Sequence, residues 1–116
     1  MRHALVVDDR TDNLSLMRAL LEAYSFTVDE ARNGAEALEI ARRETPELVI
    51  SDLMMPVMNG WEFLEAQKGD VTLATIPVVV VSAFNDKGGT VGGAAGFIKK
   101  PVELESLLRV VQRYCQ

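Results

Sequence analysis

Three short apolar runs in this chain each stop at a polar, chemically capable residue. Ala4-Leu5-Val6-Val7 runs into Asp8-Asp9, Leu48-Val49-Ile50-Ser51 into Asp52, and Ile76-Pro77-Val78-Val79-Val80-Val81 into Ser82. As neighbouring parallel strands, the runs would bring their carboxyl ends to one edge of a sheet, and that edge is where open α/β sheets bind ligands. Asp8, Asp9 and Asp52 would then crowd together. Such a cluster is repulsive without a cation, and all-oxygen ligation with room for water suits the hard ion Mg²⁺.

The intervening segments read as helices. After Asp9, residues Asn13, Leu16, Met17, Leu20 and Tyr24 recur at helical spacing, with Asn13 the polar member, and Leu14, Arg18 and Leu21 form a second stripe beside that core face. Val28 to Glu30 is a strand candidate, Asn33-Gly34 opens a helix carrying Ala37, Leu38 and Ala41 toward Glu44, and Pro46 resets the chain into the strand ending at Asp52. Asn59-Gly60 precedes a helix from Trp61 to about Lys68, and a polar stretch then leads to the strand ending at Ser82. Gly96-Phe97-Ile98 is a fifth strand, and Val102 to Tyr114 carries Leu104, Leu107, Leu108, Val111 and Tyr114 at helical spacing. The alternation predicts a doubly wound α/β fold, a five-stranded parallel sheet with helices on both faces. It breaks at Asn85 to Gly93, NDKGGTVGG, where four glycines would each cost about 1 kcal/mol relative to alanine inside a helix. The fourth helix is therefore expected to be shortened or replaced by a glycine-rich loop.

A length of 116 residues fits one domain over 1–116 and one core. Hydrophobic content of 48% with 25% charged residues is ordinary for a soluble globular chain, and no apolar stretch approaches the length of a bilayer span. Met1-Arg2-His3 leads into a run that meets two aspartates almost at once, so no secretory signal is read and a cytoplasmic location is expected. The single cysteine, Cys115, has no partner for an internal disulfide, in keeping with a reducing compartment. A net charge of −5 without a basic stripe argues against direct nucleic-acid binding.

Asp52 follows a fully apolar strand and precedes Leu53-Met54-Met55-Pro56-Val57-Met58-Asn59-Gly60. A carboxylate attacks an activated phosphorus to give an acyl phosphate when a metal and a fixed cation neutralise the transferring oxygens. Asp8 and Asp9 suit the metal, directly or through water, Lys100 supplies the cation, and the Ser82 hydroxyl suits a hydrogen bond to the phosphoryl group. Each residue has a plainer competitor. Asp8-Asp9 alone fits a solvated turn, Lys99 competes with Lys100, and Phe97 in a short strand is equally a packing residue. His3 lies outside every motif and reads as a surface or strand-edge residue, and the methionines at 54, 55 and 58 read as packing and loop residues, since a thioether is a poor partner for a hard cation.

These residues, with their order and flanks, resemble the receiver domain of two-component response regulators. The resemblance spans essentially the whole chain through VVDD at 6–9, SDLMMPVMNG at 51–60, VVVSA at 79–83 and GAAGFIKKPV at 93–102. It implies a flavodoxin-like receiver in which Asp52 takes a phosphoryl group from a phosphohistidine on a sensor histidine kinase or histidine phosphotransfer protein. It implies Mg²⁺ on Asp9, Asp52 and the Met54 backbone carbonyl, with Asp8 acting through water, and Lys100, which precedes proline as the family's lysine does, paired with Asp52. Ser82 and Phe97 match the family's switch pair, a hydroxyl that moves toward the phosphoryl group and a ring that turns inward. The output implied is a changed surface for an unidentified protein target rather than enzymatic turnover. Leu14, Arg18 and Leu21 are the candidate docking stripe for the kinase's helices.

Between Ser82 and Lys100 the chain runs roughly one helical turn shorter than typical receivers, which places the departure in the glycine-rich segment and alters the expected signalling face. That segment is expected to order on phosphorylation or partner binding. Met54 and Phe84, two residues beyond Asp52 and Ser82, occupy positions that flank the hydrolytic water's path in the family, and their bulk should slow loss of phosphate. Two other classes compete. A phosphate-independent interaction module would keep the fold without using the site, and an aspartate-nucleophile phosphatase would carry Asp-x-Asp after its first strand, a spacing that Asp8-Asp9-Arg10 lacks.

Overall fold

Valine-rich runs suit strands because a branched Cβ is stiff and packs well on a pleated surface. The computed structural model of the chain describes residues 2–82, 94–100 and 103–114. In order they form β1 (Arg2–Val7), α1 (Thr11–Ala23), β2 (Phe26–Ala31), α2 (Gly34–Arg43), β3 (Leu48–Asp52), α3 (Gly60–Lys68), β4 (Val78–Ser82), β5 (Gly96–Lys99) and α4 (Leu104–Tyr114). All strand pairs are parallel and the sheet order is β2-β1-β3-β4-β5, the doubly wound, flavodoxin-like arrangement. Register sets Val7 opposite Ser51, Asp52 opposite Val81 and Ser82 opposite Lys99, so the polar ends of the apolar runs meet on one edge.

Strand alternation divides the core between two faces. Ala4, Val6, Ile50, Val79 and Val81 pack with Leu14, Met17 and Leu21 of α1 and Leu107 and Val111 of α4. Leu5, Val7, Val49, Val78 and Val80 pack with Ala37, Leu38 and Ala41 of α2 and Phe63 and Leu64 of α3. Every residue of β3 and β4 is buried, as expected for strands covered on both sides. Both helices on the second face begin with a cap. The Asn33 side chain accepts from the Glu36 amide, and Asn59 with Glu62 forms a reciprocal capping box at 2.9 and 3.0 Å. Residues 83–93 and 101–102 lie outside the described residues, and with them the expected glycine-rich loop, Phe84 and the first residue of the expected last helix.

Three readings of the sequence are corrected here. Helix α1 does not turn its Leu16 and Tyr24 stripe inward, since Leu16 is 57% and Tyr24 41% exposed, whereas Leu14, Met17 and Leu21 are at most 2% exposed. The proposed docking stripe is thereby broken up. Leu14 and Leu21 are core residues on the helix that packs against β1 and β2, and only Arg18 faces outward, paired with Glu22 and Glu30 at 3.3 Å each. His3 is not at a sheet edge either, because β1 lies between β2 and β3, and its side chain is only 12% exposed, with Nε2 2.8 Å from the Asp29 carboxylate.

Candidate active site at the carboxyl edge of the sheet

Asp8 follows the last residue of β1 and is 1% exposed. Its Oδ1 accepts the Arg10 amide at 2.9 Å and its Oδ2 accepts Asn13 Nδ2 at 3.2 Å, so the first turn of α1 holds this carboxylate in place. Asn13 was readable in the sequence only as a polar interruption of an apolar stripe. Its role depends on α1 starting at Thr11, which aims the first turn back at the end of β1.

Asp52 closes β3 and is likewise buried. Its Oδ1 accepts the Leu53 amide at 2.8 Å and its Oδ2 accepts Lys100 Nζ at 3.0 Å. The Lys100 amide donates to the Ser82 carbonyl at 2.9 Å, which carries the β4–β5 ladder one residue further and fixes where the lysine leaves the backbone. The same ammonium lies 3.8 Å from Asp8 Oδ2. Lys99, its competitor, is exposed.

Oxygens of Asp8, Asp9 and Asp52 all lie within 4.8 Å of one another. Among the described residues one ammonium faces three carboxylates, an excess of negative charge that a divalent cation offsets. The strain shows at Asp8. Burial pushes its carboxyl above the ordinary range and the neighbouring Asp52 charge adds to this, while the Arg10 amide, the Lys100 ammonium and Asn13 pull the other way. Asp9 is exposed, which leaves an open side to the cluster. Every donor is a hard oxygen, and the set fits Mg²⁺ better than a softer ion.

Of the remaining expected residues, Ser82 is buried at the end of β4, and Phe97 is half-buried on β5, packed against the core of the α2 and α3 face. The loop after Asp52 is closed by a bond from the Gly60 amide to the Leu53 carbonyl at 2.9 Å and leaves Met54 63% and Val57 82% exposed. Val57 has φ 68°, a left-handed conformation that is strained for a branched side chain.

Residues 4–112 match the family model of the response regulator receiver domain. The chain belongs to that family. Receivers are phosphorylation-dependent signalling switches, and the relatives of this one carry matching names. The polar-differentiation response regulator DivK of Brucella anthropi is 33% identical over 117 residues, covering 97% of this receiver and 95% of that protein. Chemotaxis response regulator CheY4 of Vibrio cholerae superimposes with a TM-score of 0.89 at 30% identity, over 98% of both chains. The receiver domain of the sensor histidine kinase PA1611 from Pseudomonas aeruginosa PAO1, which has a magnesium ion coordinated in its active-site cleft, superimposes with a TM-score of 0.88 over 97% of this receiver and 96% of that chain. At 20% identity that likeness concerns the fold alone.

Proposed function

We propose that this receiver accepts a phosphoryl group on Asp52 from a phosphohistidine of a sensor histidine kinase or histidine phosphotransfer protein, and that a protein target reads the result. The observation that carries this reading is the ion pair of Lys100 with the buried Asp52 at 3.0 Å, beside Asp8 and Asp9. A buried carboxylate with a fixed ammonium at one oxygen and an acidic cluster alongside supplies what phosphoryl transfer to a carboxylate needs. A carboxylate oxygen of Asp52 bonds to phosphorus as the phosphorus–nitrogen bond breaks, and the donor imidazole keeps that electron pair and takes up a proton. Lys100 stays within reach of the transferred oxygens and balances their charge. The Ser82 hydroxyl turns toward the new phosphoryl group, and the half-buried Phe97 ring moves inward to fill the vacated space.

Asp9, Asp52 and the Met54 carbonyl would hold Mg²⁺, with Asp8 engaged through water. The ion when bound supplies charge neutralisation at the phosphoryl oxygens and orients them for in-line transfer. The test is intact-mass measurement after incubation with a small phosphodonor such as acetyl phosphate. The expected result is a gain of one phosphoryl group, dependent on Mg²⁺ and absent in Asp52→Asn. A chain that gains nothing with Mg²⁺ present, while still binding its partner as Asp52→Asn, would overturn the proposal in favour of a phosphate-independent module.

A further inference from the structure

A second convergence of ligand side chains lies near the amino end of the sheet, away from Asp52. His3 near the start of β1, Asp29 in β2 and Glu44 at the end of α2 each offer one ligand atom, and these atoms all lie within 4.8 Å of one another. His3 is fixed by its place in an interior strand and by the Glu47 amide, which donates to its carbonyl at 2.8 Å. Leu5 and Val7, which follow it on the same face of β1, are fully buried, so the imidazole is a lone nitrogen base ending an otherwise apolar row. Its Nε2 lies 2.8 Å from Asp29 Oδ2. The Glu44 carboxylate is exposed and takes no hydrogen bond or ion pair from any of the described residues. Two carboxylates thus face one imidazole, and the group stays negative whichever way the ring is protonated.

We propose that His3, Asp29 and Glu44 bind a divalent transition-metal ion of the Zn²⁺ class at a site separate from the Asp52 cluster. One imidazole nitrogen with two carboxylate oxygens suits zinc, cobalt or nickel, whereas Mg²⁺ favours the all-oxygen cluster at the other edge. Three protein ligands with a fourth position left to water is a common zinc arrangement. Bonds of the usual length at tetrahedral angles set the donors about 3.3 Å apart. The His3 and Asp29 atoms must therefore part by a few tenths of an ångström, and the exposed Glu44 side chain must swing in. His3 precedes Asp8 by five residues of extended chain, about 16 Å, roughly two screening lengths in physiological salt. At that distance one ion cannot be shared between the two sites. A metal there joins β1, β2 and the end of α2, so it binds the folded chain alone and raises its stability.

The test uses the full chain with Mg²⁺ in excess and Co²⁺ as the spectroscopic probe, followed by competition with Zn²⁺. The expected result is one Co²⁺ per chain with the absorption of a four- or five-coordinate ion, displaced by Zn²⁺ and retained in Asp52→Asn. His3→Gln and Glu44→Gln each remove a ligand and should weaken binding by more than about tenfold. Glu44 is exposed, so Glu44→Gln separates loss of a ligand from loss of the fold. Absence of Co²⁺ binding, its disappearance in Asp52→Asn, or binding that persists in Glu44→Gln and His3→Gln would each overturn the proposal.

Discussion

Gly60 opens α3 with no side chain between it and the residues that carry the proposed phosphorylation site. A Cβ there would lie 2.7 Å from the Asp52 carbonyl oxygen and 2.9 Å from the Leu53 Cα. Both are backbone atoms, so relief requires the backbone to move rather than a side chain to rotate. Reaching ordinary contact with the carbonyl takes a shift of roughly 0.7 Å. The Gly60 amide also donates to the Leu53 carbonyl at 2.9 Å, so the helix start and residue 53 cannot part without stretching that bond. Overpacking of this kind costs about 1–3 kcal/mol, and helix propensity with a stiffer unfolded chain returns up to about 1 kcal/mol. Gly60→Ala should therefore lose about 1–2 kcal/mol, read as a lower urea midpoint with an unchanged slope. Gly69→Ala is the internal control. There the nearest atom to a Cβ is 3.6 Å away and φ is −77°, so the same change should stabilise by about 0.5 kcal/mol. Displacement of about 1 Å at a reacting group costs on the order of a hundredfold in rate, so Gly60→Ala should also slow phosphorylation of Asp52 by about tenfold or more. Wild-type stability together with a wild-type phosphorylation rate in Gly60→Ala would refute the reasoning.

Val57→Asn should stabilise the chain by about 1 kcal/mol in chemical denaturation, because Asn tolerates the left-handed backbone that Val57 adopts at φ 68° and the side chain is 82% exposed. A loss would show that Val57 makes a contact worth more than its strain. Gln67→Leu should cost about 1–3 kcal/mol in the same assay, since the buried Nε2 donates to the Leu73 and Ile76 carbonyls at 2.7 and 2.8 Å and both would lose that donor, the Leu73 carbonyl keeping only the Ile76 amide at 3.1 Å. Asp8→Asn should raise stability at neutral pH without metal. In the folded chain the Asp8 carboxyl titrates above its ordinary 3.8, so the fold binds that proton more tightly than the unfolded chain and stability falls as the pH rises through the window between the two values. The gain should vanish below pH 3.8, where Asp8 is neutral in both states, and melting curves across pH check this. Replacing Met54, which is 63% exposed, together with Phe84 by small polar residues should shorten the lifetime of phosphorylated Asp52, and an unchanged decay rate would remove the shielding argument.

The parallel sheet was legible because each interior strand carries an apolar run that stops at one or two polar residues, so strand type, direction and active edge came from the same few positions. Lys100 over Lys99 was legible only through its place before Pro101, which matches the family's lysine-proline pair, and in the structure Lys100 reaches Asp52 while Lys99 is exposed. The facing of α1 was not. Leu14, Met17 and Leu21 and the set Leu16, Leu20 and Tyr24 are both apolar at helical spacing, and only the angle at which the helix leaves β1 chooses between them. Pairs that depend on strand register were equally hidden. His3 meets Asp29 because β1 and β2 align Arg2 with Phe26, a match that neither segment states alone. The polar stretch after α3 concealed a fully buried Leu73 and the buried Gln67 that ties it down, because a side chain serving two carbonyls in a turn leaves no periodic trace.

The ion pair at the site joins residues 48 positions apart, with the acceptor near the middle of the chain and its counterion close to the end. Translation proceeds from the acceptor toward the counterion, at about 5–20 residues per second. On the proposed function, the nascent chain therefore has the acceptor without its counterion for roughly 2–10 s after Asp52 is made. Under that reading a copy ending before Lys100 takes no phosphoryl group, and the supply reaches only chains that carry the lysine.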